Sequence, residues 1–151
     1  MNLKNYTSSV PVETTVMRIE QYLIATGLVS NIGKSYDGTV VTAILFNIEH
    51  ESGKLPLTVR LAAKVGQCQD FFWRDYCATR QRGHKTKEDF LDQAARTAWK
   101  LQEDDVRIQT SLILLNQRTV LESFLASVWD GEQTFCQRIV GNNYKQLAAP
   151  Q

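Results

Sequence analysis

From Val29 to Ala62 the apolar residues recur at every second position, and on both sides of that window they recur at every third or fourth. A side-chain period of two belongs to strands and one near 3.6 to helices, so the pattern divides the chain into helix, sheet and helix. Turn signals cut the middle window into three strands. The first, about 29–36, runs into Asp37-Gly38, a dipeptide favoured in two-residue hairpin loops whose central positions need positive φ. The second, about 39–49, places Val40, Ile44, Phe46 and Ile48 on one face and Val41, Ala43 and Leu45 on the other. His50-Glu51-Ser52-Gly53-Lys54 reads as the next turn. The third strand alternates Leu55, Leu57, Val59 and Leu61 with Pro56, Thr58, Arg60 and Ala62, and Pro56 suits the start of an edge strand because it cannot donate to a ladder. The expected class is α+β, with a three-stranded antiparallel meander between helical parts.

Before the meander, Pro11 and Glu13 suit a helix start, Val12, Val16, Ile19 and Leu23 keep helical spacing, and Gly27 suits a left-handed stop, giving a helix over about 12–26. After it, Cys68, Phe71, Phe72 and Tyr76 form an apolar stripe over about 65–79, which Arg80-Gln81-Arg82-Gly83-His84-Lys85 interrupts. Thr86 with Asp89 resembles a capping box. Beyond it Leu91, Ala94, Ala98, Leu101, Asp105, Ile108, Leu112 and Leu115 alternate in steps of three and four, a heptad-like seam that extends toward Phe124 or Leu125. Leu101, Asp105, Ile108 and Leu112 are its candidate oligomer contacts, with Asp105 either fixing register or pairing with Arg18, Arg60 or Arg138. A short helix, roughly 132–140, follows the Asp130-Gly131 turn. One domain over 1–151 is expected: helix and meander to residue 64, a helical part over 65–147, and a frayed tail at 148–151. A helix this long is hard to bury in 151 residues, which favours a partner such as a second copy.

Composition excludes several classes. With 43% hydrophobic and 22% charged residues the chain is neither disordered nor membrane-like, and its longest apolar run, Val40–Phe46, is strand-sized. The opening residues carry no apolar signal core, so the cytoplasm is the expected compartment. Three cysteines, Cys68, Cys77 and Cys136, have no metal-ligand spacing and read as free thiols. A net charge of +1 leaves polyanion binding to a local patch.

That patch is the stretch 74–87, where Arg74, Arg80, Arg82, Lys85 and Lys87 stand against Asp75 alone, after Phe71-Phe72-Trp73 and Tyr76. Cations on a glycine-containing loop before a helix start suit phosphates, and the aromatics suit unpaired bases. Arg96 and Lys100, four apart on the long helix, would continue the track. A solvated connector with core aromatics accounts for the same residues. No catalytic, metal or cofactor site is expected. Cys77 and His84 lack an orienting group, Glu103-Asp104-Asp105 fan around the helix, and no GxGxxG, Walker, GxSxG or HExxH pattern occurs.

Met1-Asn2-Leu3-Lys4-Asn5-Tyr6-Thr7 with Val10-Pro11-Val12, Gln93-Ala94-Ala95-Arg96-Thr97-Ala98-Trp99-Lys100 and Val128-Trp129-Asp130-Gly131-Glu132-Gln133-Thr134-Phe135 together resemble a family of small uncharacterised proteins of bacterial prophages and integrative elements. The resemblance implies a mobile-element protein of the bacterial cytoplasm, active in phage replication or against host defence. The element order and Gly83-His84-Lys85-Thr86-Lys87 also resemble the double-stranded-RNA-binding domain. The expected function is that of a non-enzymatic accessory protein that contacts nucleic acid through Arg80, Arg82, Lys85, Lys87, Arg96 and Lys100. The alternative is an anti-defence protein, oligomeric through the seam, that binds a host immunity protein or sequesters a nucleotide signal.

Overall fold

A computed structural model describes residues 3–49, 55–79 and 83–150. Among them the elements are α1 (Val12–Ala25), β1 (Val29–Asp37), β2 (Val40–Ile48), β3 (Leu57–Ala62), α2 (Val65–Ala78), α3 (Leu91–Leu114), α4 (Val120–Phe124) and α5 (Phe135–Gly141), with short 3-10 turns at Lys87–Phe90, Leu125–Ser127 and Lys145–Leu147. The class is α+β, as the change of period requires. The second turn of the meander, 50–54, falls outside the described residues.

The chain forms two compact units: Met1–Tyr22 with Ala63–Thr110, and Leu23–Ala62 with Ser111–Gln151. Each unit draws on two stretches of sequence.

In the second unit the sheet has the order β1-β2-β3, antiparallel throughout. Asp37 pairs with Val40, so the hairpin loop is Gly38-Thr39 and Asp37 stays in the strand. Only Gly38 of these takes positive φ, 61°, which corrects the expectation that Asp37 and Gly38 both would. β1 carries a bulge between Ser30 and Gly33, where Asn31 adopts φ 51°, a conformation that asparagine tolerates. Ile44, Phe46 and Ile48 of β2 and Val59 of β3 are fully buried, and Phe46 meets Phe124 edge-on with ring centroids 5.3 Å apart. β3 begins at Leu57, after Pro56, and Leu55 is exposed. The outer edge of β3 is partly covered: Val59 bridges to Val128, and Trp129 N–H donates to Thr58 O at 2.7 Å. Covering an edge in this way blocks further strand addition there.

In the first unit Val16, Ile19, Phe72, Ala94, Ala98, Trp99 and Val106 are buried. The long helix is shorter than its apolar pattern suggested. A 3-10 turn precedes it, and Asn116 ends it with φ 57°. Gln117 N–H donates to Leu112 O at 2.8 Å and Asn116 N–H to Ile113 O at 3.0 Å, the pair of bonds that closes a helix around a left-handed residue. Thr119 then opens α4 as a separate helix, its Oγ1 accepting from Glu122 N–H at 3.1 Å.

Candidate functional site

The segment from Leu3 to Val10 is held against α3 by side chains of one sequence block. Thr97 Oγ1 donates to Asn5 O at 3.0 Å, Gln93 Nε2 to Tyr6 O at 2.7 Å, and Arg96 Nε to Ser8 O at 3.1 Å. Arg96 Nη2 also donates to Gln93 Oε1 at 2.8 Å, which fixes the amide. Asn5 turns the segment with φ 63° and donates from its side chain to Asp104 at 2.8 Å, where Lys4 makes an ion pair at 2.9 Å. Burial pushes the Asp104 carboxyl up, but hydrogen bonds from Lys4 and Asn5 and the charges of Lys4 and Lys100 outweigh it and hold the group below the usual carboxylate range. The buried acid of α3 is Glu103, bonded to Lys100 Nζ at 2.6 Å and 3.8 Å from Arg18.

These contacts place most of the expected phosphate ligands. Arg96 is occupied with Ser8 and Gln93, Lys100 with Glu103 and Asp104, and Lys87 with Asp70. Arg80 and Arg82 lie outside the described residues. The helix start is already served by an acid: Thr86 N–H donates to Asp89 Oδ2 at 2.7 Å. Lys87, Arg96 and Lys100 thus each have an acceptor within their own chain. Lys85 differs. It is exposed, has no ion pair among the described residues, and carries its ammonium 5.6 Å from the centre of the Phe90 ring.

Lys85 stands at a cleft of about 350 Å³ lined by Tyr6, Thr7, Phe72, Asp75, Tyr76, Thr79, Lys85, Phe90 and Gln93, all in the first unit. That volume is at the small end of ligand pockets, roughly 300–1,000 Å³. α2 supplies Phe72, Asp75 and Tyr76 from adjacent turns, the 3-10 turn supplies Phe90, and the segment pinned by Gln93 supplies Tyr6 and Thr7. Tyr76 stacks on Trp73 at 5.8 Å and leans on Phe90 at 5.4 Å. Its hydroxyl is buried and has no hydrogen-bond partner among the described residues. It also depends on a glycine: a Cβ at Gly83 would stand 2.8 Å from the hydroxyl oxygen.

No family model, curated protein or solved structure matches the chain.

The seam divides. Leu101 and Leu112 are half-buried, while Asp105 and Ile108 are exposed. Ala94 and Ala98 of the seam are buried, and beyond them the buried positions of α3 fall one or two places further on, at Trp99, Glu103, Val106, Thr110 and Ile113. The expected partners of Asp105 are engaged elsewhere: Arg18 with Glu103, Arg60 over the Trp129 ring at 5.0 Å, and Arg138 with Asp130 at 2.7 Å. Asp130 accepts from the backbone N–H groups of Gln133 and Glu132, both at 2.9 Å, and these bonds with Arg138 hold its carboxyl below the usual range. Thr134 caps α5 with Oγ1 accepting from Gln137 N–H at 3.3 Å. The block around Trp129 is thus explained by turn and cap chemistry.

Cys77 and His84 are both exposed, and burial pushes the Cys68 thiol up, which keeps it protonated at neutral pH. Among the described residues no three His, Cys, Asp or Glu gather as a metal site, and no helix is long and apolar enough to cross a membrane. The sequence pattern did not bring Tyr6, Thr7, Phe90 and Gln93 together with Asp75. The aromatic run beside the basic stretch was the available signal, and Phe72 and Tyr76 of it line the cleft.

Proposed function

We propose that this chain is a non-enzymatic nucleic-acid-binding accessory protein that holds an unpaired nucleotide of a single strand in the cleft beside Lys85. The observation that carries the reading is the composition of that cleft: Phe72, Tyr76 and Phe90 on its walls, an ammonium at Phe90 with no ion pair among the described residues, and a volume fit for one base with its sugar. Aromatic walls hold bases of any sequence, and a nearby cation holds the phosphate. A cationic guest would suit aromatic rings as well, but Lys85 repels it. Duplex tracking is disfavoured because Lys87, Arg96 and Lys100 are spent on acceptors of their own chain. The mobile-element setting that the sequence resembles is compatible with such a role, since replication and transfer expose single strands.

Fluorescence anisotropy with labelled single-stranded DNA, single-stranded RNA and the matching duplex tests this. Single strands should bind at low salt and the duplex more weakly. Phe90→Ala should cost about 1–3 kcal/mol of affinity, the usual worth of a stacked base. Lys85→Ala should lower the slope of log K against log salt by about 0.7, the share of one phosphate on a single strand. Absence of binding at low salt, or affinity indifferent to both substitutions, sinks the reading. A second reading has support from the same concavity, which would also enclose a free nucleotide and so sequester a nucleotide signal. Thermal shifts with mononucleotides that exceed those with oligomers would favour it.

A further inference from the structure

Four aromatic side chains of the described residues line the cleft, and three of them are already packed on other rings. Phe72 is buried and meets Phe71 edge-on, Tyr76 stacks on Trp73, and Phe90 lies against Trp73, Tyr76 and the Lys85 ammonium. Tyr6 is the exception. It is 41% exposed and meets no other ring among the described residues. Its backbone lies outside every helix and strand, so its place depends on bonds made from elsewhere. α3 supplies them to the carbonyls around it: Thr97 Oγ1 donates to Asn5 O, Gln93 Nε2 to Tyr6 O and Ser8 O, and Arg96 Nε to Ser8 O. Arg96 Nη2 closes the set on Gln93 Oε1.

We infer that Tyr6 is the ring on which the guest of the cleft stacks, and that Gln93 and Arg96 are positioning residues that hold it there. The inference rests on the reading that the cleft holds an unpaired nucleotide. A base stacks on an aromatic face that no neighbouring ring covers, and among these four side chains Tyr6 is the one without a ring neighbour. Stacking tolerates every base, so the site takes a nucleotide of any sequence. Gln93, Arg96 and Thr97 stand three and four residues apart, which puts them on one face of α3 against the segment. Arg96 uses two directions of its planar fork at once, one on Ser8 O and one on Gln93 Oε1. A lysine in its place would keep the charge but not that fork. The guanidinium is thus turned to the backbone that carries Tyr6, and its service to the cleft is geometric.

The test titrates fluorescein-labelled hexauridylate with the full chain and its variants, read by anisotropy over a range of salt, with hydrogen exchange followed over residues 3–10. Tyr6→Ala should weaken binding at least about fivefold, the low end for a stacked base. Tyr6→Phe should stay within about twofold, because stacking uses the ring and not the hydroxyl. Tm should hold in both, since Tyr6 is exposed. Arg96→Ala and Arg96→Lys should each weaken binding, quicken exchange over residues 3–10 and leave the slope of log K against log salt unchanged. A phosphate contact by Arg96 would instead lower that slope by about 0.7 in the alanine variant and spare the lysine one, and either result overturns the positioning role. Exchange that quickens over the whole chain and not over residues 3–10 first overturns it as well. Binding that Tyr6→Ala leaves intact, or that Tyr6→Phe weakens as much, overturns the stacking role. If Phe90→Ala and Lys85→Ala still weaken binding in that case, this inference falls alone. Absence of binding by the unaltered chain overturns the nucleotide reading and this inference with it.

Discussion

Asp105 and Glu103 show how little a polar residue's position in an apolar seam says about its burial. The seam of α3 places Asp105 among leucines, yet it is exposed, and Glu103 is the acid that the first unit encloses. Glu103 is tolerated because Lys100 donates to it at 2.6 Å and Arg18 stands at 3.8 Å, both with side chains that reach solvent. Replacing Glu103 by Ala should therefore destabilise by about 2 kcal/mol, the loss of hydrogen bonding to a charged group. Asp105→Ala should stay within about 0.5 kcal/mol, as exposed substitutions usually do. Chemical denaturation of the two variants checks the contrast, and equal losses would restore Asp105 to the core-facing row. The same lesson applies to cations. Arg96 and Lys100 sit on one helix face as their spacing required, and Gln93 and Glu103 are their i,i+3 neighbours, but Ser8 O, the other acceptor of Arg96, is one that no local pattern announces.

Elements were legible wherever their boundaries are made by neighbours in sequence. Gly27, with φ 69°, ends α1, and the alternation of Leu57, Val59 and Leu61 places β3. Both follow from chemistry within a few residues. The end of α3 was harder to read, because Leu114 and Leu115 continue the apolar pattern through it. What stops the helix is Asn116 in the left-handed region, and its signal is weaker than glycine's. Asn116→Ala should cost about 1 kcal/mol, since alanine has no side-chain compensation for positive φ. Asn116→Gly should be neutral or slightly stabilising, because glycine adopts that conformation freely. Thermal melts of the two variants decide it, and an Ala variant as stable as the Gly one would mean that another feature ends the helix.

For the whole molecule, among the described residues each unit carries one carboxylate held below its usual range, Asp104 in the first and Asp130 in the second. A depressed folded-state pKa means that the folded form binds its proton less readily than the unfolded form. The stabilisation is thus complete above the unfolded value of about 3.9 and is lost as pH falls through the lower folded value. Tm should be flat from neutral pH to about 5 and should fall below about 4, with Asp104→Asn flattening the acid limb. A Tm that falls instead between pH 7 and 5 would assign acid sensitivity to other groups. The sequence by itself determined the period of each segment, the turns at Gly27 and Gly38 and the capping box at Thr86, because these are set by interactions a few residues long. It also located the aromatic and basic stretch from Phe71 to Lys87. Only the tertiary structure decided which of two adjacent rows of α3 is buried, since Glu103 and Thr110 make the buried row look polar until their partners are present. It alone decided that Lys4 and Asn5 meet Asp104, Asn5 from 99 residues away, that three of the expected phosphate ligands are already paired, and that Phe72, Tyr76, Lys85 and Phe90 share one cleft. Contacts between distant residues depend on where the chain returns, and a period along the sequence does not record that.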